Sequence, residues 1–492
     1  MFALGQPVLT VQNAASSRQG QAAPGSLIAF SYALEDPRTA SVTILPAGAT
    51  KPIPVPFVQG WTALLPDDLP NGPAVLTVTA VGQTFGPLSL TIVPSSFGLF
   101  TQDSGSGPVL AQNSLTHPAK PGDYLTLWGT GLGSAPQDQV EVLLGGHPAR
   151  VTYAGPAPGY AGTDQINFQV PNDAAIPFGC YVAISVVAAG VGSNTGTLST
   201  SADGSPCQSP LGFTVTQLAQ LDAGQFLSVG QVNLYDMVGP PESQSSTAAG
   251  FTRMESADAA FLSVNAAGAG LLVDPLEADD AYYVCYSVAA GGVGFLLRTG
   301  SIGEGAVLSL SNGSKSVSLT SDVEIADPPS VTTPDAVGAP FFAEGNWTVG
   351  ITGGDGLKPA TGELAIPQPL QITNDTALPT VDRSRDLTVT WNGGDYTAAY
   401  TASLQLNAAS VVVICRAPAN AGTITMPAAL LQTLTAEAGS LELLLTARTG
   451  HIASFPVPLI GGGTMPDPHI GGGTMPVLLQ YYPSEVLPVA IR

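Results

Sequence analysis

The sequence predicts an all-β protein made of tandem sandwich domains, followed by a Gly/Pro-rich C-terminal extension. Gly and Pro supply 57 and 43 of the 492 residues. They recur between short runs rich in Val, Leu and Thr rather than in one tract. Both residues interrupt helices, so this spacing is typical of many short strands joined by turns. A chain of this length exceeds one core and indicates about three to four domains.

The same pattern leaves little room for helices. We expect fewer than about 10% of residues in helices, against a usual ~30–35%. The one segment that fits a helix is a single or double turn from Ala428 to Leu434.

The charge composition excludes several classes of function. Only 10% of the residues are charged, against about 25% in average soluble domains. The surface is therefore either an uncharged polar coat or is covered by other copies of the chain. A net charge of −22 with 14 Lys and Arg residues argues against nucleic acid and anionic membranes as partners. No stretch approaches the ~20 apolar residues of a membrane span.

The most informative segment spans about residues 100 to 217. Alternation places Ile166, Phe168 and Val170 on one inward face. Roughly seven short strands in about 100 residues is the count of an immunoglobulin-like (Ig-like) sandwich. The signals, in chain order, are Pro121-Gly122, a strand to Trp128, the turn Gly129-Thr-Gly-Leu-Gly133, a strand at 140–144, the hairpin pair Gly145-Gly146, the strand 164–170 ended by Pro171, and the strand 179–187.

This order of strands and turns resembles the IPT/TIG family of Ig-like domains. More narrowly, Ala154 to Phe168 and the Gly-Cys-Tyr-Val at 179–182 are similar to modules of large exported proteins of soil acidobacteria. The resemblance implies an Ig-like sandwich in an exported protein and implies no defined activity. It also implies a disulfide between Cys180 and Cys207, because the resembling modules carry cysteines in similar places and export favours oxidation.

The remaining segments are less specific. Cys285 and Cys415 fall in the middle of strands, and we expect both to be buried free thiols in separate domains. The expected segments are a degenerate Ig-like copy at 1–100, an IPT/TIG-like sandwich at 101–217, a β-rich domain at 218–370, an Ig-like sandwich at 371–456, and a linker with an extended tail at 457–492.

The C-terminal segment contains a tandem repeat. Ile460-Gly-Gly-Gly-Thr-Met-Pro466 recurs as Ile470-Gly-Gly-Gly-Thr-Met-Pro476, which indicates either a linker or two docking segments. It precedes an apolar tail that could add a strand to the sheet edge of a neighbouring copy. The alternative is that the tail folds back on its own last domain. The residues of this assembly tail are Val477, Leu478, Leu479, Tyr481 and Tyr482.

The sequence offers no clear catalytic constellation, and we expect no catalytic residue, cofactor site or metal site. The Gly129-x-Gly131-x-Gly133 pattern precedes a strand, whereas a phosphate loop must open a helix. The acidic loops favour solvated turns over calcium sites because they lack the D-x-D-x-D-G spacing. The histidines and acidic residues considered are His117, His147, His451, His469, Asp274, Glu277, Asp279, Asp280, Asp355 and Asp395.

These observations predict a secreted, non-enzymatic structural protein. The partner expected first is the chain itself, in a filament or surface layer built by strand addition. The alternative is an extracellular carbohydrate-binding or adhesion array whose partner is a polysaccharide. The first residues lack the basic region of a signal peptide, so a signal has either been removed or lies upstream.

Overall fold

The computed structural model describes most of the chain. About 57% of the described residues lie in strands and 7% in helices, which confirms the all-β prediction and the low helix content. None of the described helices is long and apolar enough to cross a membrane. The described residues are 9–30, 40–80, 83–102, 108–111, 113–172, 176–239, 253–271, 284–289, 298–299, 307–320, 330–332, 340–354, 357–392, 400–408, 411–432, 434, 436, 438–447, 453–458 and 474–492.

The first sandwich consists of two sheets, with strand orders β1-β3-β7-β6 and β2-β9-β8-β4-β5. Alternating apolar residues such as Val42, Ile44, Leu76 and Val78 fill the core between them. Its strands are β1 (Val11–Asn13), β2 (Gln21–Ala22), β3 (Leu27–Phe30), β4 (Ser41–Pro46), β5 (Ile53–Val55), β6 (Phe57–Gln59), β7 (Thr62–Leu64), β8 (Gly72–Ala80) and β9 (Gln83–Ile92).

The second sandwich is one sheet that folds around its own core. Its strands are β10 (Gly98–Leu99), β11 (Tyr124–Thr130), β12 (Val140–Leu144), β13 (His147–Pro156), β14 (Asp164–Gln169), β15 (Gly179–Ala188), β16 (Val191–Gly192) and β17 (Gly196–Thr200). The order is β10-β11-β14-β13-β12-β15-β16, with β17 also on β15. Ile166, Phe168 and Val170 are all 0% exposed, so the predicted inward face is confirmed. Gly145 and Gly146 have φ of 55° and 79°, as a tight hairpin turn requires.

An α-helix outside the sequence expectations follows the second sandwich. The helix α1 (Val215–Asp222) begins at a capping box, in which Gln217 N donates to Thr214 Oγ1 and Thr214 N donates to Gln217 Oε1. The Thr-x-x-Gln pattern before an apolar pair is a sequence signal for such a start. The expectation of a single helix near residue 428 is therefore wrong.

The remaining strands form the C-terminal unit. They are, with two short helices, β18 (Leu227–Val238), β19 (Arg253–Val264), α2 (Ala266–Leu271), β20 (Val284–Ala289), β21 (Arg298–Thr299), β22 (Val307–Ser311), β23 (Ser316–Thr320), β24 (Ser330–Thr332), β25 (Gly345–Ile351), β26 (Ala360–Ile366), β27 (Gln371–Ile372), β28 (Thr380–Val381), β29 (Leu387–Asn392), β30 (Tyr400–Asn407), β31 (Val411–Pro418), β32 (Thr423–Met426), α3 (Ala428–Leu431), β33 (Ala438–Ala447), β34 (Ala453–Pro458) and β35 (Thr474–Ile491).

One large sheet runs through the whole C-terminal unit. Its order is β20-β31-β30-β33-β35-β18-β19-β21, with β24, β28 and β34 attached. Two smaller sheets, β23-β22-β25-β26 and β27-β29-β32, complete two separate cores that contain Trp347 and Trp391 respectively. The expected boundaries at 370/371 and 456/457 both fall within the span of this one sheet. Pairing between distant segments, which no local pattern encodes, builds it.

Candidate functional sites: the C-terminal strand and the joints

The assembly tail is a central strand of the chain's own large sheet. Strand β35 pairs in parallel with β18, from Gly230 opposite Val477 to Val238 opposite Glu485. On its other side it pairs antiparallel with β34 and then with β33. Val477 and Leu478 are 0% exposed, and Leu479 and Tyr481 are 1% and 6% exposed.

In its described part, residues 474–492, the tail therefore takes the alternative arrangement, in which it folds back on its own chain. Met475, Val477, Leu479 and Tyr481 point into the core that also holds Trp347, whereas Leu478 packs on the opposite face. A segment that is apolar on both faces gains more by lying in the middle of a sheet than at an edge. Tyr482 is half-buried and stacks on Tyr235 at 5.4 Å.

A buried polar network fixes the register of β35 against β18 and β19. Asp236, which is 1% exposed, accepts two hydrogen bonds of 2.6 Å from Arg253 and one of 2.9 Å from Tyr481 Oη. The hydrogen bond to Asp236 raises the pKa of Arg253, and burial raises that of Tyr481. A slip of β35 would remove the Tyr481 hydrogen bond to this buried carboxylate, and a slip of β19 would separate Arg253 from Asp236, which is costly for a buried charge. The network therefore stabilises one register of these three strands.

A shared apolar core and a carboxylate clamp join the second sandwich to the C-terminal unit. Cys180 and Cys207 form a disulfide with 5.0 Å between Cα atoms, inside a core that includes Leu218, Leu221 and Leu478. Asp222, at the end of α1, accepts hydrogen bonds from Leu115 N, Thr116 N and Thr116 Oγ1 at 2.9, 2.8 and 2.6 Å. Burial raises the pKa of Asp222, but these hydrogen bonds outweigh it and lower the pKa.

The expectation of a free thiol is wrong for Cys415. Cys415 is disulfide-bonded, and the described part of the chain holds no free cysteine. Strands β20 and β31 pair with Cys285 directly opposite Cys415, so the two residues lie in one sheet rather than in separate domains.

The Gly129–Gly133 turn is the joint between the first two sandwiches. Leu27 N donates to Thr130 Oγ1 at 2.8 Å, and Asn13 Nδ2 donates to Thr130 O at 3.2 Å. A Cβ on Gly131 would lie 2.5 Å from Ser96 O, and Gly131 has a φ of +100°. The turn thus needs glycine for close backbone approach as well as for its conformation. Strand β12 follows, as the turn interpretation requires.

Two ionisable groups are buried at the same joint. Asp164 Oδ2 accepts from Leu132 N at 2.8 Å, and burial raises the pKa of Asp164 to about 6. Arg18 is 1% exposed. Its Nη2 donates to Gly192 O, while Nε and Nη1 have no partner among the described residues. Burial lowers the pKa of Arg18 to about 10.

A crevice of about 280 Å³ lies where the second sandwich meets the C-terminal unit. The lining from the second sandwich includes Gln102, Asn113 and Thr197, and that from the C-terminal unit includes Leu221 and Asn265.

The sequence candidates for chemistry do not come together. His117 is exposed and lies 3.1 Å from Thr116 Oγ1, and His147 begins β13. No group of three or more His, Cys, Asp or Glu side chains that could hold a metal occurs in the described ranges. The candidates outside the described residues are Asp274, Glu277, Asp279, Asp280, Asp355, Asp395, His451 and His469.

Comparison with known proteins gives low-scoring likenesses to solved structures. No family model and no curated protein matches the chain. A tetra-tandem repeat from the extending region of a large adhesion protein is 11% identical over 96% of this chain and 98% of its own, with a TM-score of 0.13. The Bacteroides ovatus protein SGBP-B, solved with a mixed-linkage heptasaccharide, is 12% identical over 80% of this chain and 79% of its own, with a TM-score of 0.14. The ICAM-5 D1–D4 ectodomain fragment is 12% identical over 96% of this chain and 100% of its own, with a TM-score of 0.14. Scores this low carry no argument about function.

Proposed function

We propose that the chain is a secreted, non-enzymatic structural protein of the extracellular adhesion type. The observation that carries the proposal is that hydrogen bonds and buried side chains close both joints between successive units. Thr130 accepts bonds from the first sandwich, and Asp222 accepts bonds from the second. Contacts of this kind hold neighbouring domains in one orientation, as an array that bears load or presents a surface requires. Bonded cysteines support export.

The proposal includes a family assignment for residues 101–217. Their resemblance to IPT/TIG-type modules of exported acidobacterial proteins supports an extracellular location. The Gly-Thr-Gly-Leu-Gly turn, which carries much of that resemblance, forms the joint at Gly131. A turn that joins two domains fits a modular array better than it fits an active site.

The finer part of the proposal is self-assembly by exchange of β35. The same strand from a second copy could make the same pairs with β18 and β33, because these pairs link segments far apart in sequence. When each copy donates its β35 to the sheet of the next copy and the series does not close into a ring, the product is a filament.

A cross-link between β33 and β35 tests the exchange. Leu444 and Ser484 lie directly opposite each other, so the pair Leu444→Cys and Ser484→Cys oxidises within whichever sheet contains β35. A ladder of linked chains on a non-reducing gel, growing with protein concentration, is the expected result. Ser309→Cys with Ser318→Cys, opposite each other in the local β22–β23 hairpin, is the matched control and should link only within one chain. Intrachain linkage alone for the Leu444–Ser484 pair at every concentration contradicts exchange.

The second candidate is a carbohydrate-binding adhesion array, which the polar crevice beside Asn265 favours. Retention of the non-assembled chain on insoluble polysaccharide would support adhesion without polymerisation. A chain that neither assembles nor adheres to any surface would contradict the proposed function as a whole.

A further inference from the structure

The crevice between the second sandwich and the C-terminal unit contains polar groups whose hydrogen-bonding capacity is unused. Asn265 Oδ1 accepts from Gly268 N at 2.9 Å, which leaves its Nδ2 without a partner among the described residues. Asn113 Nδ2 donates to Ser199 O at 3.1 Å, which leaves its Oδ1 unused in the same part of the chain. Gln102 adds a side-chain amide at the exposed rim. The crevice therefore presents both donors and acceptors.

The charges around the crevice select a neutral ligand. Asp222 is the acidic residue in the lining, and its carboxylate already accepts three hydrogen bonds from Leu115 and Thr116. The lining residues include no Lys or Arg. A phosphate or carboxylate would therefore meet a carboxylate and no cation, while a cation would find Asp222 already occupied.

The apolar part of the lining and the volume set the size of the ligand. Val109, Leu115, Leu221 and Ala266 supply apolar surface, against which C–H groups can pack. A cavity of about 280 Å³ lies near the lower end of the ~300–1,000 Å³ typical of ligand sites. It fits a single compact ligand that is rich in hydroxyl groups and has some apolar surface.

A disulfide and several hydrogen bonds hold the walls of the crevice before any ligand binds. Cys180 lines it and is held by the disulfide to Cys207. Asp222 ties Leu115 and Thr116 to the end of α1. Little ordering is needed on binding, so modest contacts can yield measurable affinity.

From these observations we infer that the crevice binds one neutral sugar residue of a polysaccharide chain. Asn113 Oδ1, Asn265 Nδ2 and the side-chain amide of Gln102 bond the hydroxyl groups, and the apolar wall meets the C–H face. The inference rests on the adhesive form of the proposed function and names its ligand class and its site.

The test uses the full chain and two variants that should fold normally. Asn265→Asp keeps the oxygen that accepts from Gly268 N and replaces the free Nδ2 donor with an acceptor. Gln102→Ala removes an exposed amide that makes no other bond in the described structure. Asn312→Asp is the matched control, because Asn312 Oδ1 likewise accepts backbone N–H groups, from Ser314 and Lys315, in a turn remote in sequence and outside the lining.

Calorimetric titration with neutral hexasaccharides of glucose and mannose, and with hexagalacturonate, gives the readout. We expect saturable one-to-one binding of at least one neutral oligosaccharide and none of the uronate. Asn265→Asp and Gln102→Ala should each lower the affinity about five- to tenfold, the effect of one lost hydrogen bond, with Asn312→Asp unchanged. Absence of binding by every oligosaccharide, which means that water alone fills the crevice, overturns the inference. Unchanged retention of both variants on insoluble polysaccharide overturns the crevice as the site and leaves the adhesive function standing.

Discussion

Deletion of residues 474–492 removes β35 and should unfold both cores of the C-terminal unit while the first two sandwiches stay folded. The strand contributes to the core around Trp347 through its first half and to the core around Trp391 through Val489 and Ile491. Its loss also exposes the edges of β18 and β33, which pair with it along most of their length.

The magnitude follows from the side chains that β35 buries. Burial of one such side chain contributes roughly 1.5–3 kcal/mol, so the set contributes on the order of 10–20 kcal/mol. A typical domain is stable by only about 5–15 kcal/mol, so no remaining contact can compensate. The buried apolar side chains are Met475, Val477, Leu478, Leu479, Tyr481, Val486, Val489 and Ile491.

Fluorescence of Trp347 and Trp391, with Trp61 and Trp128 replaced by Phe, reports on the two cores together. The truncated chain should show both tryptophans exposed to water without denaturant, and limited proteolysis should leave a stable fragment that ends near residue 210. Leu479→Ala is a milder change that should cost about 2–5 kcal/mol. Retention of buried Trp347 and Trp391 with unchanged denaturation midpoints in the truncated chain would refute the reasoning.

Four further predictions concern single residues. The raised pKa of Asp164 means that the folded state favours the protonated acid, so the wild type should lose about 3 kcal/mol of stability as the pH rises from about 4 through 6. Asp164→Asn should remove this loss, and urea unfolding across the same pH range checks it. Gly131→Ala should cost about 2–4 kcal/mol through a backbone clash and a strained φ, seen as a lower thermal midpoint of the first two sandwiches. Tyr481→Phe should cost about 1–2 kcal/mol of the C-terminal unit by removing one bond to Asp236, measured by urea unfolding. Arg18→Met should not destabilise, because an uncompensated buried charge is removed; a lower thermal midpoint would contradict it.

The sequence predicted well those features that depend on neighbouring residues. Alternation placed Ile166 and Phe168 in the core, and Gly145-Gly146 marked a hairpin with positive φ at both positions. Each of these depends on a few adjacent residues, which sterics and the period of a strand determine directly. The sequence signal for helix α1 is local too, because the capping box that starts it needs only Thr214 and Gln217.

Features that depend on distant partners could not be predicted in this way. Nothing local indicates that Cys285 lies opposite Cys415, since β20 and β31 are more than one hundred residues apart in sequence. The contacts that Asp222 and Arg18 make at the joints between units also link residues far apart in sequence. Prolines at 476, 483 and 488 also argued against a central strand, because proline donates no ladder hydrogen bond, yet all three lie in β35.

The C-terminal strand shows which information a sequence carries about assembly. Three consecutive apolar residues, Val477 to Leu479, require cover on both faces and so specify a central position in a sheet. They do not specify to which copy the sheet belongs, because a second copy offers the same partners. That choice depends on concentration, since a short tether holds the strand near its own sheet at an effective concentration of about millimolar. Exchange is therefore expected chiefly when many chains fold together at high local concentration, and refolding of the cross-linkable pair at increasing concentration is the condition most favourable to it.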